Sequence, residues 1–206
     1  MKIAVINEVS ASSRNADIIA ALNKFDHDIY NIGMTAPDQH PELTYIHTGL
    51  MAGILLNAEA VDLVVGGCGT GQGFLNSAMQ YPRVFCGLIC EPLDAWLFSR
   101  INGGNCISLA LNKGYGWAAD VNLQFIFEKL FECEMGTGYP EHRKESQSAS
   151  RIKLKEISGN THKDIREILA LADREILARL AQSDSFMEII SNSKSGTDML
   201  KYFQQY

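Results

Sequence analysis

Residues 61–73 read VDLVVGGCGTGQG, and 74–79 continue as FLNSAM. The first five residues are apolar except for Asp62 and rich in valine, the character of a strand buried on both faces of a parallel sheet. Glycines at 66, 67, 69, 71 and 73 interrupt the run, and FLNSAM has the pattern of a helix's first turns. A buried strand turning through glycines into a helix is one half of a β-α-β unit, so this stretch sets the fold class.

The same order recurs on both sides of it. Upstream, KIAVI (2–6) is a short apolar run, Ser12 and Ser13 offer an N-cap for an amphipathic stretch over 16–22, and 28–32 is strand-like. A longer helical pattern, 43–57, then leads into the strand at 61–65. Downstream, 83–89 is strand-like, 91–101 helical, 105–111 strand-like and 117–132 helical. Five strands alternating with helices predict an α/β fold, a doubly wound, Rossmann-like, five-stranded parallel sheet, because parallel neighbours need crossover connections that pack on both faces. Ligands of such sheets bind at the strands' carboxyl ends.

Residues 136–150, GTGYPEHRKESQSAS, are polar and turn-rich and close the sheet domain. The division is therefore 1–145 for that domain and 146–206 for a C-terminal helical extension, with helices expected at 151–157, 163–180 and 186–203. Apolar residues at helical spacing predict that the extension packs on the core or on a second subunit.

The chain has 206 residues, 46% of them hydrophobic, enough for one substantial core without disulfides or metal. Its net charge is −6 and its basic residues are scattered, so neither nucleic acid nor membrane is an expected partner. No run approaches the roughly 20 apolar residues of a membrane span, and MKIAVINEV lacks a cleavable signal, which predicts a cytoplasmic protein. Cys68, Cys86, Cys90, Cys106 and Cys133 show no paired metal spacing; they read as reduced thiols, all but Cys68 buried and inert.

Gly69, Gly71 and Gly73 permit positive φ and bare backbone, so that several amides can face one anionic oxygen at a helix start. Cysteine at such a place is the residue type that acts as a thiolate. A dinucleotide site would need GxGxxG, a spacing that Gln72 breaks, and the Walker lysine is absent. A third reading is structural: the glycines turn the chain and Cys68 packs.

The segment 61–73, together with Cys90-Glu-Pro92 and Asn102-Gly-Gly-Asn105, resembles the ribose-5-phosphate isomerase B and galactose-6-phosphate isomerase family over about residues 1–145. The resemblance implies a homodimer, or a tetramer, with sites at the subunit interface, no metal or cofactor, and an aldose–ketose isomerisation through a cis-enediol. Cys68 matches the family's base, and Thr70 its loop threonine, which helps position the relayed proton. The amides of Gly69, Gly71 and Gly73 are suited to the enediolate oxygen. Glu8 takes the place of an aspartate, Tyr45 matches a tyrosine, and Asn102 an asparagine that touches substrate.

Three departures alter the expected substrate. Val9 and Ile101 replace histidines, the second credited with opening the sugar ring, and Met79-Gln80 replaces an Asn-Lys pair. Opening a hemiacetal needs an acid and a base, and an alkyl side chain is neither. A branch of the family resembling ketol-isomerases of 4-deoxy-5-ketouronates fits better, since such substrates carry a carboxylate and react open-chain. Lys113 and Arg143 are the expected anion anchors, Arg143 across the dimer. A sugar-phosphate isomerase and a non-catalytic sugar-binding subunit remain as alternatives. His47, His142 and Asp94 are weaker candidates with ordinary structural readings.

Overall fold

The structure, a computed structural model, describes residues 1–204 and Tyr206. Strands β1 (Lys2–Asn7), β2 (Asp28–Asn31), β3 (Leu63–Cys68), β4 (Cys86–Ile89) and β5 (Cys106–Ala110) lie parallel in the order β2-β1-β3-β5-β4. The doubly wound α/β fold expected from the sequence is the one observed. Between the strands run α1 (Asn15–Leu22), α2 (Tyr45–Asn57), α3 (Gln72–Ala78) and α4 (Pro92–Leu97), and α5 (Ala119–Leu130) follows β5.

Side-chain alternation along the strands divides the core in two. Ile3 and Val5 of β1 and Leu63 and Val65 of β3 pack beneath α1, α4 and α5. Ala4, Ile6, Val64 and Cys68 face the opposite way, toward α2 and α3. Gly66 belongs to that second face, where a Cβ would stand 2.0 Å from the Phe74 ring; its bareness lets the fully buried Phe74 seat α3 directly on β3.

Residues 48–55 of α2 are all buried, so this helix is apolar on every side and needs covering on its outer face too. The chain beyond the sheet supplies the cover. After α6 (Lys144–Thr161) come α7 (Ile165–Leu171), α8 (Arg174–Ala181), α9 (Asp184–Ser191) and α10 (Gly196–Leu200). Ile165, Leu169, Leu177, Leu180, Phe186 and Ile190 share one buried cluster with α2.

Several boundaries differ from the sequence reading. One helix occupies 144–161, where a turn-rich segment to 150 and a short helix at 151–157 were expected; its apolar residues, Ile152, Leu154 and Ile157, all lie in its second half, so the polar first turns carry no apolar signal. The stretch 163–180 is two helices, because Asp173 turns its carboxylate to the Glu175 amide (2.7 Å) and starts α8. The stretch 186–203 divides likewise into α9 and α10. The helix expected over 91–101 is α4 followed by a π-helical turn, Phe98–Asn102.

The cysteines also correct the expectation that all but Cys68 are buried. Cys106 is buried, but Cys86 and Cys133 are half-buried and Cys90 is exposed. Cys86 opens an edge strand, Cys90 follows that strand's last residue, and Cys133 lies in the turn after α5, so none of the three has a neighbour on every side.

Candidate active site

The chain winds outward in opposite directions from β1 and β3, so their carboxyl ends frame a crevice at the topological switch point. β1 ends at Asn7 and delivers Glu8; β3 ends at Cys68 and delivers the glycine loop. Glu8 is 4% exposed, and its carboxylate accepts from the Ser10 amide (3.1 Å) and, at very short range, from the Ser10 hydroxyl. The Ser10 oxygen in turn accepts from the Gly69 amide at 3.0 Å. Cys68 is 5% exposed beneath this turn.

β5 closes the other side. The amides of Asn112 and Lys113 donate to the Gly69 carbonyl at 2.9 and 3.0 Å, and the Asn112 side chain donates to the Ser10 carbonyl at 2.7 Å. Ser108, buried in β5, donates to the Gly71 carbonyl at 2.6 Å. Gly71 itself adopts φ +75° as the residue before α3, a conformation that a β-carbon strains. Polar side chains from β1's exit and from β5 therefore hold the loop that follows β3 in one shape.

That shape alters the expected division of labour among the amides. The Gly69 N–H is engaged by Ser10, and the Gly71 N–H donates to the Cys68 carbonyl at 3.3 Å. Gly73 is the second residue of α3, where an amide lacks an intrahelical acceptor. Of the three glycines expected to supply donors, Gly73 is the one whose amide is left by the helix geometry. Thr70 is exposed, and its Oγ1 accepts from the Gln72 amide at 3.3 Å.

Tyr45, first residue of α2, reaches the same loop: a Cβ at Gly73 would lie 3.0 Å from its ring. Tyr45 is 44% exposed, at the rim of the crevice. The crevice thus gathers Glu8, Tyr45, Cys68, Thr70 and Gly73, with Lys113 on the neighbouring loop. Ser10, Asn112 and Ser108 escaped the sequence reading. Ser10 and Asn112 carried the usable signal of being polar residues just past strand ends that a parallel sheet brings together.

Asn102 and Arg143 lie elsewhere. Cys68 pairs with Ala110 at the carboxyl end of β5, whereas Asn102 precedes that strand's first residue, Cys106, at its other end. Asn102 and Arg143 line a groove of about 520 Å³ between α6 and the start of edge strand β4, floored by Phe85, Phe98 and Ile101. The π-helical turn that carries Asn102 is fixed there by Arg151 of α6, which donates to the carbonyls of Ile101 (3.0 Å) and Gly136 (2.8 Å). One chain therefore does not bring Lys113 and Arg143 together as a pair of anion anchors.

The weaker candidates resolve into structural roles. Asp94 accepts from the amides of Cys90 (2.9 Å) and Glu91 (3.2 Å) and caps α4, with Pro92 at its first position. His47 occupies the third position of α2, where its Nδ1 accepts from the Thr44 amide at 3.1 Å. His142 is exposed. Among the described residues, no group of three His, Cys, Asp or Glu side chains is placed to hold a metal ion, and no helix is long and apolar enough to cross a membrane.

This geometry recurs in known proteins. The family model described as Ribose/Galactose Isomerase matches residues 3–138. A ribose-5-phosphate isomerase from Vibrio parahaemolyticus superimposes with a TM-score of 0.94 and 43% identity, over 100% of this chain and 98% of that one. A 4-deoxy-L-threo-5-hexosulose-uronate ketol-isomerase complexed with a tartrate superimposes with a TM-score of 0.93 and 37% identity, over 100% of both chains. The ribose-5-phosphate isomerase B of Clostridium thermocellum, at 20% identity and a TM-score of 0.63, covers 78% of this chain and 99% of its own, a likeness of fold. No curated protein matches. With its family match spanning the whole sheet and both full-length neighbours being sugar isomerases, the chain belongs to the ribose/galactose isomerase family and is a sugar isomerase.

Proposed function

We propose that the chain is an aldose–ketose isomerase that works through a cis-enediol, with Cys68 as proton carrier and a 4-deoxy-5-ketouronate or similar sugar acid as substrate. The observation that carries this reading is the position of Cys68: it ends the central strand β3 at the switch point, beside buried Glu8 and below a loop held by Ser10, Asn112 and Ser108.

In this mechanism the Cys68 thiolate takes the proton from the carbon next to the carbonyl, and the electron pair of that C–H bond becomes the enediolate's double bond. The charge on the former carbonyl oxygen faces the Gly73 amide. The thiol then returns the proton to the former carbonyl carbon while the other enediol oxygen loses its own proton, giving the new carbonyl. Thr70 flanks those oxygens and serves their proton exchange, while Glu8 holds the substrate's hydroxyl groups.

The substrate class rests on position 101 and on a neighbour. Ile101 puts an alkyl group beside Asn102, which disfavours ring opening at that place and favours an open-chain substrate. The similar ketol-isomerase acts on a hexosulose-uronate, and a uronate's carboxylate suits a site whose cations are Lys113 and Arg143. The working unit in this reading is a homodimer in which a second copy carries Asn102 and Arg143 to the Cys68 loop. A second reading, a ribose-5-phosphate isomerase, is favoured by the 43% identity to the Vibrio enzyme.

Proton NMR in D₂O separates the two. Solvent deuterium entering the carbon beside the carbonyl of a 4-deoxy-5-ketouronate, and its loss in Cys68→Ala, is the expected result. Exchange with ribose 5-phosphate alone would select the second reading, and exchange with neither sugar would remove both substrates.

A further inference from the structure

The helical extension begins beyond the 3–138 family match, yet one of its side chains reaches the backbone that frames the crevice. Arg179 of α8 donates through Nη1 to the Glu42 carbonyl at 3.1 Å. The next residue, Leu43, accepts at its carbonyl from the Val9 amide at 2.8 Å, inside the turn formed by Glu8 and Ser10. Thr44 follows as the N-cap of α2, its amide donating to His47 Nδ1, and then comes Tyr45 against Gly73. Four consecutive residues thus connect α8 to both halves of the crevice.

The helix that this segment starts is itself packed tightly on α3, the helix that follows the glycine loop. A Cβ at Gly49 would lie 2.1 Å from Ser77 Oγ, and one at Gly53 would lie 2.6 Å from the Tyr81 ring. α2 therefore meets the last turn of α3 and the segment after it at van der Waals distance through bare backbone, so an error in the α2 entry is passed to α3 rather than absorbed.

We propose that Arg179 is a positioning residue for Tyr45 and for the Glu8 turn, acting through the backbone of residues 42–44 and the His47 cap. The inference rests on the assignment of Tyr45 and Glu8 to the site. It gives the extension a part in substrate binding as well as in covering α2.

His47 supplies a signature that a merely structural role for Arg179 would not move. Its pKa is lowered from the ordinary 6.5, first by burial and then by the Arg179 charge, against an opposing effect of Glu42. Arg179 and Glu42 are the charged groups that face it. With Nδ1 accepting from Thr44, the neutral ring carries its proton on Nε2, and protonation of Nδ1 removes the acceptor from the cap.

The test compares wild type with Arg179→Met, Arg179→Lys and His47→Gln, using a 4-deoxy-5-ketouronate. Arg179→Met is expected to raise KM roughly tenfold with little change in kcat, because the chemistry at Cys68 is untouched while binding groups shift. Its KM is expected to deteriorate at a higher pH on the acid side, since His47 has lost a cationic neighbour. Arg179→Lys is expected to restore the position of that limb, and His47→Gln, which keeps an acceptor at the third position, to remove the limb.

Hydrogen exchange at the bonded amides of Thr44, His47 and Thr48 in the α2 entry and of Leu75 in the first turn of α3 needs no substrate, and Arg179→Met is expected to speed it at both places. Unchanged KM, limb and exchange in Arg179→Met would overturn the proposal, whatever the melting temperature does. Tyr45→Ala tests the assignment beneath it: unchanged KM there removes Tyr45 from the site and the proposal with it, whereas a raised KM beside a silent Arg179→Met sinks the proposal alone.

Discussion

The Tyr45 ring packs against the backbone of Gly73, so closely that a Cβ at residue 73 would stand 3.0 Å from two of its carbons. Gly73→Ala must therefore displace the ring or tilt α3. Because Tyr45 is at the rim, 44% exposed, the ring is the part that yields. The expected outcome is a fall in kcat/KM of roughly tenfold, about 1.4 kcal/mol of transition-state stabilisation, with little change in melting temperature. In a Tyr45→Ala background the same substitution is expected to add almost nothing, and steady-state kinetics on the four proteins of that cycle measure the coupling.

How much of this was legible before the structure follows from the physics of each element. The buried valine-rich strand at 61–65 and the largely apolar helix over 43–57 announce themselves, and the helix is observed at Tyr45–Asn57. The break between α7 and α8 was written in Asp173, a capping residue, but the helical period across it outweighed one side chain. α6 was legible only in part: Ile152, Leu154 and Ile157 mark its second half, but its first two turns are polar, and Arg151 fixes it through carbonyls distant in sequence. At the crevice, Cys68, Thr70, Glu8 and Tyr45 lie together. That Ser10 takes the Gly69 amide depends on the order of strands in the sheet, which no local pattern encodes.

Cys68→Ala is expected to lower kcat by between about 10² and 10⁴, the usual worth of a positioned acid–base group, while leaving KM within a small factor. Cys68 is buried beneath the Glu8 turn and lies away from the surface-exposed Cys90, so iodoacetamide should label the two at different rates. Mass spectrometry should show bound sugar protecting Cys68 and leaving Cys90 unaffected. Full activity in Cys68→Ala would transfer the proton carrier's role to another group.

The lowered pKa of His47 makes a stability prediction with a fixed sign. The unfolded chain binds a proton at His47 near 6.5, and the folded chain only at lower pH, so between those values the unfolded state holds more protons. Stability is therefore fully present above 6.5, declines as pH falls through the window below it, and levels off under the folded value. Urea denaturation of wild type and His47→Gln at pH 7.5 and 5.5 should show a smaller loss in the variant. An equal loss in both would remove His47 as a contributor.

Gly66→Ala tests the seat of α3. The new methyl would meet three carbons of the Phe74 ring at 2.0 to 2.6 Å in a site where both residues are buried. Overpacking of this kind costs typically about 1–3 kcal/mol, and it lifts α3 from β3 just beyond Cys68. A lowered denaturation midpoint together with reduced kcat is the expected pair of effects. Phe74→Leu in the same chain should recover part of both, because it returns space at the point of collision.

Asn102 and Arg143 belong to the opposite end of β5 from Cys68, so a site using all three needs two copies of the chain. In a two-fold dimer each site then takes its loop from one subunit and its asparagine and arginine from the other. Mixing inactive Cys68→Ala with inactive Arg143→Met, with subunit exchange, makes heterodimers in which one site carries both defects and the other carries neither. Random exchange of equal amounts yields half heterodimers with one intact site each, and so about a quarter of wild-type activity, by two-fold symmetry alone. If Arg143 served the loop of its own chain, every site in the mixture would keep one defect, and no activity would return at any ratio.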